Sequence, residues 1–106
     1  MDNFKAVYKI LSSLEAQMDL EKVNPEMFDH KALDVSKERW TKYILMMAEA
    51  GYVSGVSYKS YYDGGGMLLY DNIRLTLKGL EYLQENTMMR KAYRAVKGIE
   101  DIIPGL

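Results

Sequence analysis

The 106-residue chain contains no cysteine, which excludes disulfide bonds, thiol catalysis and cysteine-ligated metal sites. It also contains no apolar run that approaches the roughly 20 residues of a membrane-spanning helix. The first residues lack the basic and apolar regions of a signal peptide. We therefore expect a cytoplasmic protein that has no membrane partner.

Side chains that could carry catalysis are scarce. His30 is the only histidine, and only Asp29 and Asp34 lie near it in sequence. Metal binding or catalysis needs more partners than this, so we expect a surface or helix-capping role. The glycines at 64–66 lack the Gly-Lys-Ser/Thr ending of a phosphate-binding loop, and we expect a hairpin tip there. The sequence thus predicts neither an enzyme nor a bound cofactor.

Net charge is also small, and its value of −1 argues against a strong nonspecific affinity for nucleic acid. The charges are unevenly distributed, however. Residues 1–35 hold four lysines against seven acidic residues, whereas residues 36–97 hold ten basic residues against six acidic ones. The positive charge therefore lies in the second part of the chain, up to Lys97.

The clearest pattern that is present covers residues 36–51 and predicts a capped amphipathic helix. Ser36 is a good N-cap, and Gly51 can adopt the left-handed conformation that ends a helix. A period of about 100° per residue separates two sides of this helix. The expected buried side carries Trp40, Ile44 and Met47, and the exposed flank carries Arg39, Lys42 and Met46.

The remaining elements surround this helix in an order typical of a winged helix. We expect a first helix over 2–20, with Phe4, Val7, Tyr8, Leu11, Leu14 and Met18 on its core side. A short strand at 21–23, a turn at 24–25, and a very short helix capped by Asp29 should follow. Residues 34–36 then form the turn into the central helix, which is the spacing of a helix-turn-helix.

The second half of the chain predicts a β-hairpin followed by helix. Residues 52–61 and 67–75 are the two strands, and the glycine cluster forms their turn. Thr76 should cap a helix whose buried side carries Leu77, Leu80, Tyr82 and Leu83. Asn86-Thr87 predicts a break, after which 88–100 form a C-terminal amphipathic helix. The fold class is therefore α+β: a single winged helix-turn-helix domain over 1–106, with four to five helices and a small antiparallel sheet whose β-hairpin is the wing.

Several segments resemble known families. The motif Leu75-Thr76-Leu77-Lys78-Gly79 after the hairpin is similar to the Leu-Thr-x-x-Gly segment of many bacterial winged-helix regulators. More specifically, the chain resembles the YjcQ family of small bacterial and prophage proteins. The segments that carry this likeness are 1–11, 36–40, 51–56, 75–86 and 97–99. The resemblance implies a winged-helix fold in a bacterium or its phage, and it transfers no catalytic or ligand-binding residues.

Two functional hypotheses follow. In the first, the protein is a DNA-binding transcription regulator, and double-stranded DNA meets Lys37, Arg39, Lys42 and Met46 on the central helix and Lys59, Tyr61 and Tyr62 near the wing tip. The flank could instead be an ordinary solvated surface, since Glu38 and Glu49 share it and repel phosphate. In the second hypothesis, the same fold is a protein-interaction module. The apolar side of 88–100 could either close the core or form a homodimer, because winged-helix regulators are commonly two-fold dimers.

Overall fold

We describe a computed structural model in which the backbone is defined for residues 2–96 and side chains are defined for residues 2–86. The helices are α1 (Asn3–Ala16), α2 (His30–Leu33), α3 (Lys37–Glu49) and α4 (Leu77–Val96), with a 3-10 turn at Pro25–Met27. The strands are β1 (Val53–Ser54), β2 (Ser57–Ser60), β3 (Gly66–Leu69) and β4 (Arg74–Leu75). The predicted α+β winged helix-turn-helix is confirmed.

The predicted helix caps are present. Asp2 accepts from the Phe4 amide at 2.8 Å, Asp29 from the Ala32 amide at 2.9 Å, and Ser36 from the Arg39 amide at 3.1 Å. Each cap satisfies an amide that the first helical turn leaves without a partner. Gly51 ends α3 with φ of +85°, as expected of a glycine that closes a helix.

The hairpin consists of two short ladders instead of one continuous ladder. β1 pairs with β4 at its base, and β2 pairs with β3 toward its tip, both antiparallel. Gly55 separates β1 from β2 with φ of +81°, and a Cβ placed there would lie 1.9 Å from the carbonyl oxygen of Asn72. The chain can cross this closely to the returning strand only where a side chain is absent.

The core lies between α1, α3, the hairpin base and the first turns of α4. Trp40, Ile44 and Met47 are buried there, as predicted. The other core members are Ala6, Ile10, Leu11, Leu14, Phe28, Leu33, Tyr43, Val53, Ile73 and Leu83.

The structure corrects the predicted extent of α1. The helix ends at Ala16 rather than near residue 20, because Gln17 turns inward as the C-cap and is 3% exposed. Its side-chain oxygen accepts from the Asn24 amide at 2.5 Å, and its amide nitrogen donates to Ser13 at 3.2 Å. Residues 21–23 consequently form no strand. Met18, expected in the core, lies beyond the helix and is exposed.

Two further predictions about helix faces were wrong. Phe4 is 75% exposed and Leu77 is 74% exposed, because each lies in the first turn of its helix, outside the packed interface.

The break predicted at Asn86-Thr87 is also absent, since α4 continues to Val96. Asn86 is accommodated because its amide nitrogen donates to the carbonyl of Tyr82 at 2.8 Å, one turn earlier. Residues 97–100 of the predicted C-terminal helix lie outside the described residues.

Within the described part of the chain, no helix is both long and apolar enough to cross a membrane.

Candidate nucleic-acid interface

The position of α3 is fixed from its buried side by Trp40. The indole N–H donates to the carbonyl of Phe28 at 2.8 Å, and the ring stacks on the Phe28 ring with centroids 6.5 Å apart. The ring also meets Tyr70 edge to face at 5.3 Å, where the hairpin returns. One side chain thus joins the turn before α2, the helix α3 and the wing. These contacts fix the position of α3 relative to the hairpin.

A groove of 840 Å³ lies between α2, α3 and the wing, and we call it the α3–wing groove. Helical side chains form one wall and β2 with β3 form the other. It contains lysines from two successive helices and a tyrosine from β2: Lys31, Lys37, Lys42 and Tyr58.

The charge balance of this groove is modestly positive. Three lysines line it against two carboxylates, those of Asp29 and Glu38. The Asp29 carboxylate already accepts a backbone hydrogen bond as the cap of α2. His30, the first residue of α2, also lines the groove and is half-buried. Within the described residues, no group of three histidine, aspartate or glutamate side chains could hold a metal ion.

The structure distributes the predicted site residues over three places. Lys37 and Lys42 line the α3–wing groove together. Lys59 is exposed on β2, and Tyr61 and Tyr62 are exposed at the hairpin tip; none of the three is among the residues that line the groove. The groove also contains residues that the sequence analysis did not select, chiefly Lys31 and Tyr58. The sequence could have indicated both residues, because Lys31 lies on the short helix of the predicted helix-turn-helix and Tyr58 lies on the first predicted wing strand.

Arg39 and Met46 lie on the side of α3 that faces α1. There they line a second groove, of 660 Å³, which we call the α1–α3 groove. Arg39 donates to the side-chain oxygen of Asn3 at 2.8 Å, and the Tyr43 hydroxyl donates to the same oxygen at 2.5 Å. Lys42 borders both grooves.

Two tyrosines whose rings contact each other at a tilted angle, Tyr52 and Tyr82, line the α1–α3 groove. The rings of Tyr52 and Tyr82 are 4.9 Å apart, and the Lys78 ammonium lies 5.9 Å from the centroid of the Tyr52 ring. Burial raises the pKa of Tyr82 above its ordinary value of 10.0, and the neighbouring Tyr52 adds to the rise. The Tyr82 phenol is therefore neutral at physiological pH.

The first residues of α4 hold the end of α3 and the hairpin together. The Thr76 hydroxyl donates to the carbonyl of Gly51 at 2.5 Å and accepts from the Gly79 amide at 3.1 Å. The Thr76 amide donates to the carbonyl of Tyr52 at 3.1 Å. Threonine and glycine of the Leu-Thr-x-x-Gly motif therefore have a structural role here, which is to fix where α3 ends and the wing begins.

Comparison with known proteins gives one match. The family model described as YjcQ protein matches residues 8–102, which is most of the chain. No curated protein matches, and no solved structure matches. The match includes α2, α3, the whole hairpin and the Leu-Thr-x-x-Gly motif, so it contains the architecture described above. The chain belongs to the YjcQ family.

Proposed function

We propose that this protein, encoded by a bacterium or by its prophage, binds double-stranded DNA through the α3–wing groove and regulates transcription in the cytoplasm. The observation that carries the proposal is the convergence of Lys31, Lys37 and Lys42 on one groove beside the wing. Lys31 lies on α2, the helix that crosses the DNA backbone in helix-turn-helix complexes, and Lys37 is the first residue of α3. Lysine acts there mainly as a mobile point charge on the DNA backbone.

The wing supplies the second part of the proposed contact. Tyr58 lines the groove, and Lys59, Tyr61 and Tyr62 extend from the same hairpin into solvent. In the proposal, these side chains contact phosphate or the adjacent minor groove while α3 occupies the major groove. Arg39 and Met46 have a smaller role, because both side chains border the α1–α3 groove. Their contact with DNA stays a prediction.

The proposal is tested by fluorescence polarisation with labelled genomic duplexes, including the region upstream of the gene itself. We expect the triple variant Lys31→Gln, Lys37→Gln, Lys42→Gln to lower affinity more than about tenfold, because it removes the lysines assigned to phosphate. The matched control is Lys5→Gln, Lys9→Gln, Lys22→Gln, which changes net charge equally at exposed positions away from the groove. Equal losses in the two variants, or no binding by the unaltered protein, would contradict the proposal.

Exposed apolar side chains on the wing favour a second candidate, a protein-interaction module. Tyr61, Tyr62, Met67 and Leu69 are all exposed within or beside the β2–β3 ladder. Aromatic residues and methionine are enriched at protein interfaces. A pull-down that recovers one stoichiometric protein and retains no DNA after nuclease treatment would favour this candidate over the first.

A homodimer through the C-terminal part of the chain is a further component of the regulator hypothesis. The side chains of residues 87–106 lie outside the described residues, so the proposal rests on the sequence pattern of 88–100 alone. Sedimentation equilibrium of the full chain would distinguish a dimer from a monomer.

A further inference from the structure

We propose that the α1–α3 groove binds a small amphipathic organic anion, a medium-length apolar chain that ends in a carboxylate. This inference does not depend on DNA binding, because Arg39 and the apolar side chains that carry it line this groove and not the α3–wing groove. The groove volume of 660 Å³ lies within the range of about 300–1,000 Å³ that is usual for small-molecule sites.

The apolar part of the site comes from three helices and the start of the hairpin. Val7, Met47, Tyr52 and Tyr82 line the groove and are buried or half-buried. Phe4 and Met46 stand at its edges with 75% and 54% of their surface exposed. Two large apolar side chains that flank a concave apolar surface would bury area on a ligand that they cannot bury on the protein. Methionine also adapts its shape to an irregular ligand.

The cationic end of the site consists of Arg39 and Lys42, with Glu38 as the one carboxylate that lines the groove. Asn3 holds the Arg39 guanidinium from α1 through a single hydrogen bond, and Tyr43 donates to the same Asn3 oxygen. A guanidinium carries five N–H donors, so donors remain for a carboxylate. Asn3 is neutral, so this hydrogen bond does not pair the guanidinium with a carboxylate. An apolar surface that ends at two cations is complementary to an amphipathic anion, and it disfavours an amphipathic cation.

The experiment is a titration of protein labelled with ¹³C at the methionine methyl groups, with decanoate as the probe. Met46 and Met47 line the groove, whereas Met27 and Met67 lie elsewhere on the molecule and serve as internal references. We expect saturable shifts of the Met46 and Met47 methyl signals and little change in the references. Leucine substitution at each methionine assigns the signals.

Two comparisons test the chemical class. Each additional buried methylene should strengthen binding about threefold to fourfold, so octanoate should bind about tenfold more weakly than decanoate. The variant Arg39→Gln should weaken decanoate binding about fivefold and leave decanol binding unchanged, because only the carboxylate uses the guanidinium. The matched control Arg74→Gln removes a cation from β4, outside this groove, and should leave both affinities unchanged.

Each contrary result overturns the proposal. Shifts that spread equally to Met27 and Met67 would show nonspecific adsorption, and the absence of shifts up to the solubility limit would show that no such site exists. If decyltrimethylammonium bound as well as decanoate, the anionic part of the assignment would be wrong. If dilution without ligand moved the Met46 signal, a second copy of the chain would be the occupant of the groove.

Discussion

Gly79 shows how one missing side chain positions two elements of this protein. It lies in the first turn of α4 and is buried, and a Cβ at this position would lie 2.4 Å from the carbonyl oxygen of Tyr52. The Tyr52 carbonyl cannot withdraw easily, because it accepts the amide of Thr76. Glycine is therefore needed here for the close approach of the α4 backbone to the Tyr52 carbonyl, although glycine is less favourable than alanine within a helix.

We expect Gly79→Ala to destabilise the protein by about 1–3 kcal/mol, the usual range for overpacking. Helix propensity alone would give the opposite sign, since alanine is favoured over glycine in a helix by about 0.5–1 kcal/mol. Urea denaturation followed by circular dichroism measures the difference. The control is Gly65→Ala, because Gly65 is exposed and a Cβ there would make only ordinary contact, 3.6 Å from the Tyr61 ring. A stabilised Gly79→Ala variant would contradict the proposed close approach.

At the scale of the elements, the end of α1 and the segment that follows it depend on a buried polar side chain. Gln17 bridges α1 to the start of the 3-10 turn through hydrogen bonds with the backbone of Asn24 and the side chain of Ser13. A buried amide that satisfies a backbone N–H is costly to remove, because the remaining donor loses its partner. Residues 21–23, where the sequence predicted a strand, form none in this structure.

The substitution Gln17→Leu should lower the free energy of unfolding by about 1–3 kcal/mol, because it leaves the Asn24 amide without its acceptor. The same substitution at Gln84, which is exposed on α4, provides the control and should change stability by less than about 0.5 kcal/mol. Thermal and urea denaturation both report this difference. Equal effects at the two positions would show that the bridge contributes nothing.

The α1 prediction illustrates which parts of an element the sequence can specify. The periodicity correctly indicated a helix whose residues Leu11 and Leu14 are buried. It failed at both ends, where Phe4 and Met18 fit the same period but lie beyond the partners that could bury them. Periodicity shows which residues share a helix face, whereas burial depends on how far the neighbouring elements extend.

For the whole molecule, the arrangement of charge matters more than its total. The chain has a net charge of −1, yet α2 and α3 bring three lysines to one groove beside the wing. The flank of α3 that faces α1 has a different chemistry, in which apolar side chains line a groove together with Arg39 and Lys42. A single helix thus borders two grooves of different character.

The proposed DNA contact predicts a specific salt dependence. If three lysines meet phosphates, the logarithm of the DNA association constant should fall with the logarithm of salt concentration with a slope of about −3. Lys37→Gln should reduce that slope to about −2, and Lys9→Gln on α1 should leave it unchanged. A polarisation titration at several salt concentrations measures all three slopes. A slope near zero for the unaltered protein would rule out the phosphate contacts.

The sequence alone determined the local features of this protein: the caps at Asp2, Asp29, Ser36 and Thr76, the glycine end of α3, the hairpin and the membership of the YjcQ family. These depend on interactions between residues a few positions apart, or on patterns that a short segment carries by itself. Only the tertiary structure decided that Arg39 faces α1 while Lys37 joins Lys31 near the wing. The helical period places Arg39 and Lys42 on one flank, but Asn3 and the wing, both distant in sequence, determine which groove each residue borders.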